Sequence, residues 1–347
     1  MNKMLPVVMN TSFQKLAIID DYISFIWTTR FYSCGDFELC VNSSQRNISL
    51  FKKDYYIVRD DDDHIGIIED ITLDRDEDGQ EMMIITGRFL SSILSRRIIA
   101  VQTTVDGTIS ECVNQLITEN IVNPSIAARQ ISNFIIGDHA ITEEMSAQYT
   151  GKNLLETIED ICKTYSIGFN VLLNSSNQFV FNLLKGVDHT YDQTDLPYVV
   201  FSDRYDNLLE SKYEEDYTNI VTAALVAGEG EGLDRKTLWT SNEKTGLNRH
   251  EVYVDQRNLQ SNDGEISSSD YNKLLRQIGL EHITQYTAAF TGTVLFDNVK
   301  YRQDVNIGDL VVIENSRWGI YMNTRLVEVI ESVSEAGDYS IVPTFGV

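Results

Sequence analysis

Two β-rich segments that each begin at a Gly-Asp pair, one near each end of this 347-residue chain, constrain its fold most strongly. The first, residues 34–41, reads CGDFELCV, and the second, residues 308–314, reads GDLVVIE. A Gly-Asp turn followed by β-branched and aromatic residues is typical of the start of a strand in a small barrel or sandwich. We therefore predict one β-rich module toward each end of the chain.

The first module is predicted to be an antiparallel β meander over residues 1–105. Phe25, Trp27 and Thr29 recur at a period of two, which is typical of a strand with one buried face, so Trp27 is expected in the core. Acidic turns separate the β-forming runs that follow, and such short turns favour hairpins. These runs lie at residues 55–58, 65–68 and 82–86.

Helical periodicity marks the middle of the chain, and residues 106–200 are predicted to form an α/β insert. Apolar residues between Ile109 and Ile117 recur at i, i+3, i+4, i+7 and i+8, and those between Leu154 and Tyr165 share one helical face. Gly168 is expected to stop the second helix. The β-forming runs between residues 169 and 184 predict a hairpin after it.

The second β-rich module is predicted over residues 201–347. Strand-like runs occur at residues 310–313 and 321–330, and one long helix is expected at about residues 268–286. The predicted fold class is therefore α+β and predominantly β. It consists of two β-barrel-like domains with the α/β insert between them.

Composition disfavours several classes of protein. The chain carries 28 Lys and Arg against 52 Asp and Glu, a formal net charge of −24, which opposes binding to nucleic acids or anionic lipids. Its four cysteines have no C-x-x-C spacing, and no run approaches about 20 consecutive apolar residues. We expect a soluble protein, made in the cytoplasm, with buried thiols and no membrane binding.

No segment carries a recognisable catalytic or cofactor-binding motif. Residues 74–79 imitate the start of a calcium loop, but Ile85 stands where a bidentate Glu belongs. The acidic run at residues 60–63 is interpreted as a charged turn, and the GEGEG loop at residues 228–232 contains glutamates that would repel phosphate. We therefore predict no catalytic residue, no metal site and no cofactor.

Trp318 is the candidate contact residue for another subunit or a partner protein. It lies in the segment NSRWG at residues 315–319, which is typical of a loop tip. Exposed aromatic rings contribute large contact areas in interfaces and also stack on sugars.

Several short motifs occur in an order that is characteristic of one family. In these motifs the chain resembles a tail-protein family of long-tailed phages (siphoviruses), and the resemblance extends over nearly its whole length. This family is related to the baseplate hub and to the N-terminal hub region of tail-associated (Tal-type) proteins. The matching segments are residues 35–39, 67–69, 87–90, 94–99, 201–208, 226–232, 234–235, 249–255 and 308–309.

The resemblance implies a structural, non-enzymatic protein at the distal tip of a virion tail, made in the host bacterial cytoplasm. Two barrel-like hub domains per subunit of a homotrimer would build a pseudo-sixfold ring that adapts the sixfold tail tube to the threefold tip and leaves a channel for DNA. The partners it implies are further copies of the chain, a distal tail protein, tail-tip, fibre or spike proteins, and a tape-measure protein.

The acidic charge and the function each leave alternatives open. The acidic residues form either a solvated exterior or an acidic lumen that repels the phosphates of passing DNA. Abundant carboxylates are compatible with a tail-associated hydrolase of cell-wall glycan or peptidoglycan. A host-surface carbohydrate-binding module is the third alternative.

Overall fold

The structure is a computed structural model that describes residues 4–346 except 76–78, 242, 262–263, 265, 285–286, 297–298 and 335, with backbone alone for 287–293. Within this part the chain is predominantly β, with a few helices, which confirms the predicted fold class. The strands are β1 (Val7–Met9), β2 (Lys15–Ile18), β3 (Tyr22–Arg30), β4 (Asp36–Asn42), β5 (Tyr56–Arg59), β6 (Asp62–Arg75), β7 (Glu81–Phe89), β8 (Thr103–Thr108), β9 (Phe134–Ile136), β10 (Glu144–Tyr149), β11 (Gly168–Leu173), β12 (Phe179–Leu184), β13 (Val200–Ser202), β14 (Leu208–Asp216), β15 (Ala223–Ala227), β16 (Thr237–Ser241), β17 (Glu251–Asp255), β18 (Thr287–Val294), β19 (Leu310–Asn315), β20 (Ile320–Val333) and β21 (Tyr339–Gly346). The α-helices are α1 (Gln45–Leu50), α2 (Ile109–Ile117), α3 (Leu154–Thr164) and α4 (Ser268–His282).

A single 13-stranded sheet joins the two ends of the chain. Its order is β14-β18-β21-β20-β3-β4-β7-β6-β5-β1-β2, and β19 pairs with both β20 and β13. The strands that follow the two Gly-Asp pairs, β4 and β19, both belong to this sheet. The predicted β-rich modules are thus parts of one hydrogen-bonded structure.

Strand β20 belongs to both modules. Its first part, Ile320 to Arg325, pairs with β19, and its second part, Glu328 to Val333, pairs with β3. From Arg325 onward β21 pairs with it as well. Because a strand has two hydrogen-bonding edges, β19 and β3 follow one another along the edge that β21 leaves free. One 14-residue strand therefore holds the two modules in register.

The buried apolar residues form three clusters. The largest combines the first β-rich module with the α/β insert, the second lies in the C-terminal module, and the third lies between α4 and β15. The division into residues 1–105, 106–200 and 201–347 stays a prediction. Representative members, cluster by cluster, are Trp27, Ile158 and Phe181, then Phe201, Leu326 and Phe345, then Val226, Tyr271 and Leu275.

The predicted helices are present, and two of their ends differ from expectation. A capping box fixes the start of α2, since Thr108 Oγ1 accepts from the Glu111 backbone N–H at 3.3 Å and the Glu111 carboxylate accepts from the Thr108 N–H at 3.0 Å. Helix α4 ends at His282, four residues before the expected boundary of about 286, and residues 285–286 lie outside the described residues. Among the described residues, none of the helices combines the length and apolar character needed to cross a bilayer.

Gly168 does not stop α3. The helix ends at Thr164, Ser166 takes the left-handed conformation with φ 54°, and Gly168 begins β11. A Cβ at Gly168 would lie 2.3 Å from the ring of Phe31. The glycine is therefore required for close packing, which local helix-stop rules cannot detect.

Candidate functional site

A group of buried charges, which we call the junction cluster, lies where the two β-rich modules meet. Arg59 ends β5, Asp62 begins β6, and Glu331 lies in β20 opposite Trp27 of β3. The cluster thus forms only when residues from both ends of the chain come together. Its members are Arg59, Asp61, Asp62, Arg302 and Glu331.

The junction cluster is a network in which guanidinium and carboxylate groups alternate. Arg59 Nη1 lies 3.1 Å from Glu331 Oε2, and its Nη2 lies 2.6 Å from Asp61 Oδ2. Arg302 contacts Asp62 Oδ2 at 2.5 Å and also pairs with Glu331. The side chains of Arg59, Asp62 and Glu331 are only 0%, 2% and 2% exposed. Their charges are therefore shielded from water and depend on one another for stability.

Neutral donors complete the network. Trp27 Nε1 donates to Asp62 Oδ2 at 2.8 Å, and the Tyr339 hydroxyl donates to Glu331 Oε1 at 2.8 Å. The His64 backbone N–H donates to Asp62 Oδ1 at 2.9 Å. These bonds satisfy carboxylate lone pairs that burial has removed from water.

The electrostatics keep the cluster ionised. Burial alone would raise the pKa of Asp62, but the charges of His64 and Arg302 and the hydrogen bonds from His64 hold that pKa well below its usual value of 3.8. Burial alone would lower the pKa of Arg302, but Asp62 and Glu331 raise it above its usual value. A carboxylate that stays ionised and multiply hydrogen-bonded is poorly suited to proton transfer at neutral pH. The arrangement is suited to fixing the orientation of two modules.

The acidic run at residues 60–63 was only in part a charged turn. Asp60 lies on the surface, 2.9 Å from Lys15 Nζ, as a solvated turn requires. Asp62 instead points inward to Arg302, because β6 begins at this residue and its side chains alternate between the two faces of the sheet. Of the calcium-like run at residues 74–79, residues 76–78 lie outside the described part.

Trp318 lies at the tip of the hairpin between β19 and β20 and is 51% exposed. Asn315 Oδ1 accepts hydrogen bonds from the backbone N–H groups of Arg317 and Trp318, each at 3.1 Å. Asp203 Oδ1 accepts from the Ser316 N–H at 2.9 Å. The indole is therefore displayed from a turn whose backbone is held in place.

Three exposed tyrosines lie in contact with one another, and we call Tyr191, Tyr198 and Tyr321 the tyrosine surface. The rings of Tyr191 and Tyr198 meet edge to face at 5.1 Å, and those of Tyr191 and Tyr321 stack at 6.1 Å. The three side chains are 43%, 49% and 55% exposed. Sequence reasoning missed this surface because Tyr191 and Tyr198 lie in a segment without periodicity. Tyr321, three residues after Trp318, was the one available signal.

Several solved structures that share this fold over almost the whole chain are phage tail proteins. The tail protein from Neisseria meningitidis MC58 is 14% identical, with 99% of this chain and 96% of that chain covered and a TM-score of 0.59. The 43 kDa tail protein of prophage MuSo2 from Shewanella oneidensis is 12% identical, with 98% of each chain covered and a TM-score of 0.58. The prophage tail protein gp18 from Listeria monocytogenes EGD-e is 14% identical, with 99% and 94% covered and a TM-score of 0.54. At these identities the likeness defines the class by fold: the chain has a phage tail protein fold.

The chain belongs to the family of siphovirus ReqiPepy6 Gp37-like proteins, whose family model matches residues 6–347. This match confirms the resemblance to siphovirus tail proteins that the sequence motifs indicated. No curated protein matches the chain in sequence.

Proposed function

We propose that the chain is a structural, non-enzymatic component of the distal tip of a phage tail, where three copies form a pseudo-sixfold ring around a DNA channel. The observation that carries this proposal is the rigid connection of two β-rich modules through β20 and the junction cluster. Three subunits that each present two β-rich modules in fixed orientation supply six β-rich units around a threefold axis. Such a ring would adapt a sixfold tail tube to a threefold tip.

The charge of the chain supports a channel function. A trimer would carry about −72, three times the −24 of one chain. Acidic groups that face the lumen would repel DNA phosphates and let the genome pass without adhering.

A non-enzymatic role is supported by the state of the two buried carboxylates of the junction cluster. Asp62 and Glu331 are paired with arginines and receive hydrogen bonds from Trp27 and Tyr339. A glycoside hydrolase needs one carboxyl group that is protonated at its working pH and open to substrate. The two most deeply buried acids of the junction cluster meet neither requirement. A zymogram on cell-wall substrate tests the hydrolase alternative directly.

The ring is tested by mass and shape. We expect the purified protein, alone or mixed with a distal tail protein, to give a mass of three subunits by multi-angle light scattering and a six-lobed ring by electron microscopy. A particle of one subunit under both conditions would contradict the proposal. Binding to DNA is expected to be undetectable by gel shift at physiological salt.

Trp318 and the tyrosine surface are proposed as a contact for a neighbouring tail protein, with the tape-measure, distal tail and tip, fibre or spike proteins as the class of partner. Exposed aromatic rings held on a firm backbone are the side chains that contribute most to protein interfaces. Because such rings also stack on sugars, a host-surface carbohydrate remains the alternative ligand, and a glycan array separates the two.

We predict that Trp318→Ala weakens assembly with the partner by about tenfold or more while leaving the melting temperature of the subunit unchanged. Trp239→Ala is the matched control, since Trp239 is also exposed, at 45%, but lies on β16, in a different sheet from β19 and β20. Affinity is measured by biolayer interferometry on the mixed tail proteins. Equal affinity of both variants would remove Trp318 from the interface.

A further inference from the structure

The two strands at the ends of the large sheet differ in charge. In the described part of the chain, β2 pairs with β1 alone and β14 with β18 alone, so each leaves one edge open. Strand β2 begins at Lys15, whereas β14 and the residue after it end in the sequence YEEDY, residues 213–217. An open edge can pair with another chain. The sheet therefore has a strongly acidic open edge at β14 and an open edge that is not acidic at β2, at its opposite end.

A cavity beside the β1–β2 hairpin, which we call the arginine pocket, has a volume of about 380 Å³. Its lining combines aromatic and aliphatic side chains with the guanidinium groups of Arg96 and Arg97 and the carboxylate of Asp54. The lining residues used here are Thr11 of the hairpin, Tyr56, Ile93, Arg96, Arg97 and Phe179.

The positive charge of the arginine pocket is only partly neutralised. Arg96 pairs with Asp54 at 3.1 Å. Arg97 donates through Nε to the backbone carbonyl of Arg129 at 2.8 Å, and within the described residues neither Arg97 nor Arg129 lies within 4.0 Å of a carboxylate. Burial, with repulsion from Arg129 and Arg96, lowers the pKa of Arg97. In a chain of net charge −24, the two arginines and the one aspartate of this pocket leave a local excess of positive charge at Arg97.

The acidic edge has matching chemistry. Glu214 and Glu215 are exposed, and the hydroxyls of Tyr213 and Tyr217 donate to the Glu215 carboxylate at 2.5 and 2.7 Å. Lys212 also pairs with Glu214. Carboxylates flanked by tyrosine rings suit a pocket lined by guanidinium groups and aromatic rings. DNA is a poor occupant, because the net charge of the chain repels a polyanion and the apolar part of the lining does not match phosphate.

We propose that the arginine pocket of one subunit binds the acidic segment 213–217 of a second copy of the chain. The inference rests on the proposed ring and names the surfaces that close it. Because the pocket and the acidic edge lie at opposite ends of one sheet, the contact is head to tail, and repetition of a head-to-tail contact generates a ring when the rotation closes.

The contact is tested with a synthetic, fluorescein-labelled peptide of residues 208–217 added to the full-length protein, followed by fluorescence anisotropy. We expect saturable binding that falls by about tenfold or more in Arg96→Glu/Arg97→Glu. The control Arg46→Glu/Lys163→Glu changes net charge equally at exposed positions on α1 and α3 and is expected to bind as wild type. A peptide with Glu214→Lys/Glu215→Lys should lose binding to wild type and regain it on Arg96→Glu/Arg97→Glu.

Absence of peptide binding to the wild-type protein, or equal binding by the charge-reversed and control variants, overturns the pocket assignment. Light scattering of the same samples measures the oligomeric state, so it tests the ring independently of the pocket. A trimer that forms without peptide binding leaves the ring standing and removes the pocket. Charge-dependent peptide binding by a protein that stays monomeric, also with its tail partners, supports the pocket chemistry and removes the ring.

Discussion

At the scale of single residues, Glu331 shows how the junction cluster works. Its carboxylate accepts hydrogen bonds from Arg59 at 3.1 and 3.2 Å, from Tyr339 at 2.8 Å and from Arg302. Arg59 is fully buried, so its charge relies on Glu331 and Asp61 for neutralisation. Removing one member of such a set leaves an uncompensated charge in the interior.

We predict that Glu331→Gln lowers the free energy of unfolding by about 3–5 kcal/mol, because Arg59 and Arg302 lose a shared counter-charge. Glu328→Gln is the control in the same strand. Glu328 pairs with Arg30, and the two side chains are 27% and 29% exposed. We therefore expect Glu328→Gln to lower the free energy of unfolding by about 1 kcal/mol or less. Urea denaturation followed by tryptophan fluorescence measures both. Equal losses would show that burial of the cluster contributes nothing.

Asp62 makes the stability depend on acid pH. The folded state holds its pKa below the usual 3.8, so its contribution is fully present above that value and is lost as pH falls through the folded pKa. We predict that the urea midpoint of the wild type falls more steeply below about pH 4 than that of Asp62→Asn. Asp60→Asn, on the exposed turn, should follow the wild type. Parallel curves for Asp62→Asn and wild type would contradict this.

Residue burial was predictable where the signal was local. The strand periodicity placed Trp27 in the core, and it is fully buried. Nothing in the run of aspartates separated Asp62 from its neighbours, because its partner Arg302 lies 240 residues away along the chain. Period-two alternation could have separated it only if the first residue of β6 had been known.

At the scale of elements, the glycine of the second Gly-Asp pair has a packing role that the motif did not reveal. Gly308 has φ +92°, and a Cβ there would lie 2.1 Å from the ring of Phe31. The side chain of Asp309 accepts from the backbone N–H groups of Val187 and Asn306, both at 2.7 Å. The pair therefore fixes the entry into β19 against both modules.

We predict that Gly308→Ala destabilises the protein by about 2–4 kcal/mol, since a positive φ and a steric overlap with Phe31 add together. Gly319→Ala is the matched control. It has φ +68° in open space, so it tests the backbone cost alone, about 1 kcal/mol. Differential scanning calorimetry reports both, and indistinguishable melting temperatures would exclude the packing contribution.

Element boundaries were predictable where the determinants were short-range. The capping box at Thr108 marks the start of α2 in the sequence itself. The role of Gly168 depends on Phe31, which lies in another part of the fold. The run at residues 321–330 indicated a strand. The full length of β20 and its pairing with strands of both modules depend on distant partner strands, which periodicity cannot identify.

At the scale of the whole molecule, a predominantly β chain with a few helices could be predicted, whereas the joining of strands from both ends of the chain into one sheet could not. The pair Arg30–Glu328, which links β3 to β20, spans 298 residues of sequence. Pairings of such separation leave no local pattern. The candidate site shared this limit, because the junction cluster and the tyrosine surface are both assembled from distant segments.

The shared strand predicts that both modules unfold together. We expect hydrogen exchange to give the same opening free energy for the central amides of β3 and of β21, because neither strand can leave without exposing β20. Mass spectrometry of peptides covering the two strands measures this. Two well-separated opening free energies in the wild type would show that the modules are independent folding units. In Glu331→Gln, which weakens the junction cluster, we expect the two opening free energies to begin to differ.

The pairing of β3 with β20 also imposes a delay during biosynthesis. When β3 leaves the ribosome, the segment that will lie beside it has not been translated, and 298 further residues at ordinary elongation rates take roughly 15–60 s. During that interval the nascent N-terminal half must keep an unpaired β edge away from other nascent chains. Premature termination before β20 would leave that edge permanently open, so truncated products are expected to be captured by chaperones or to aggregate.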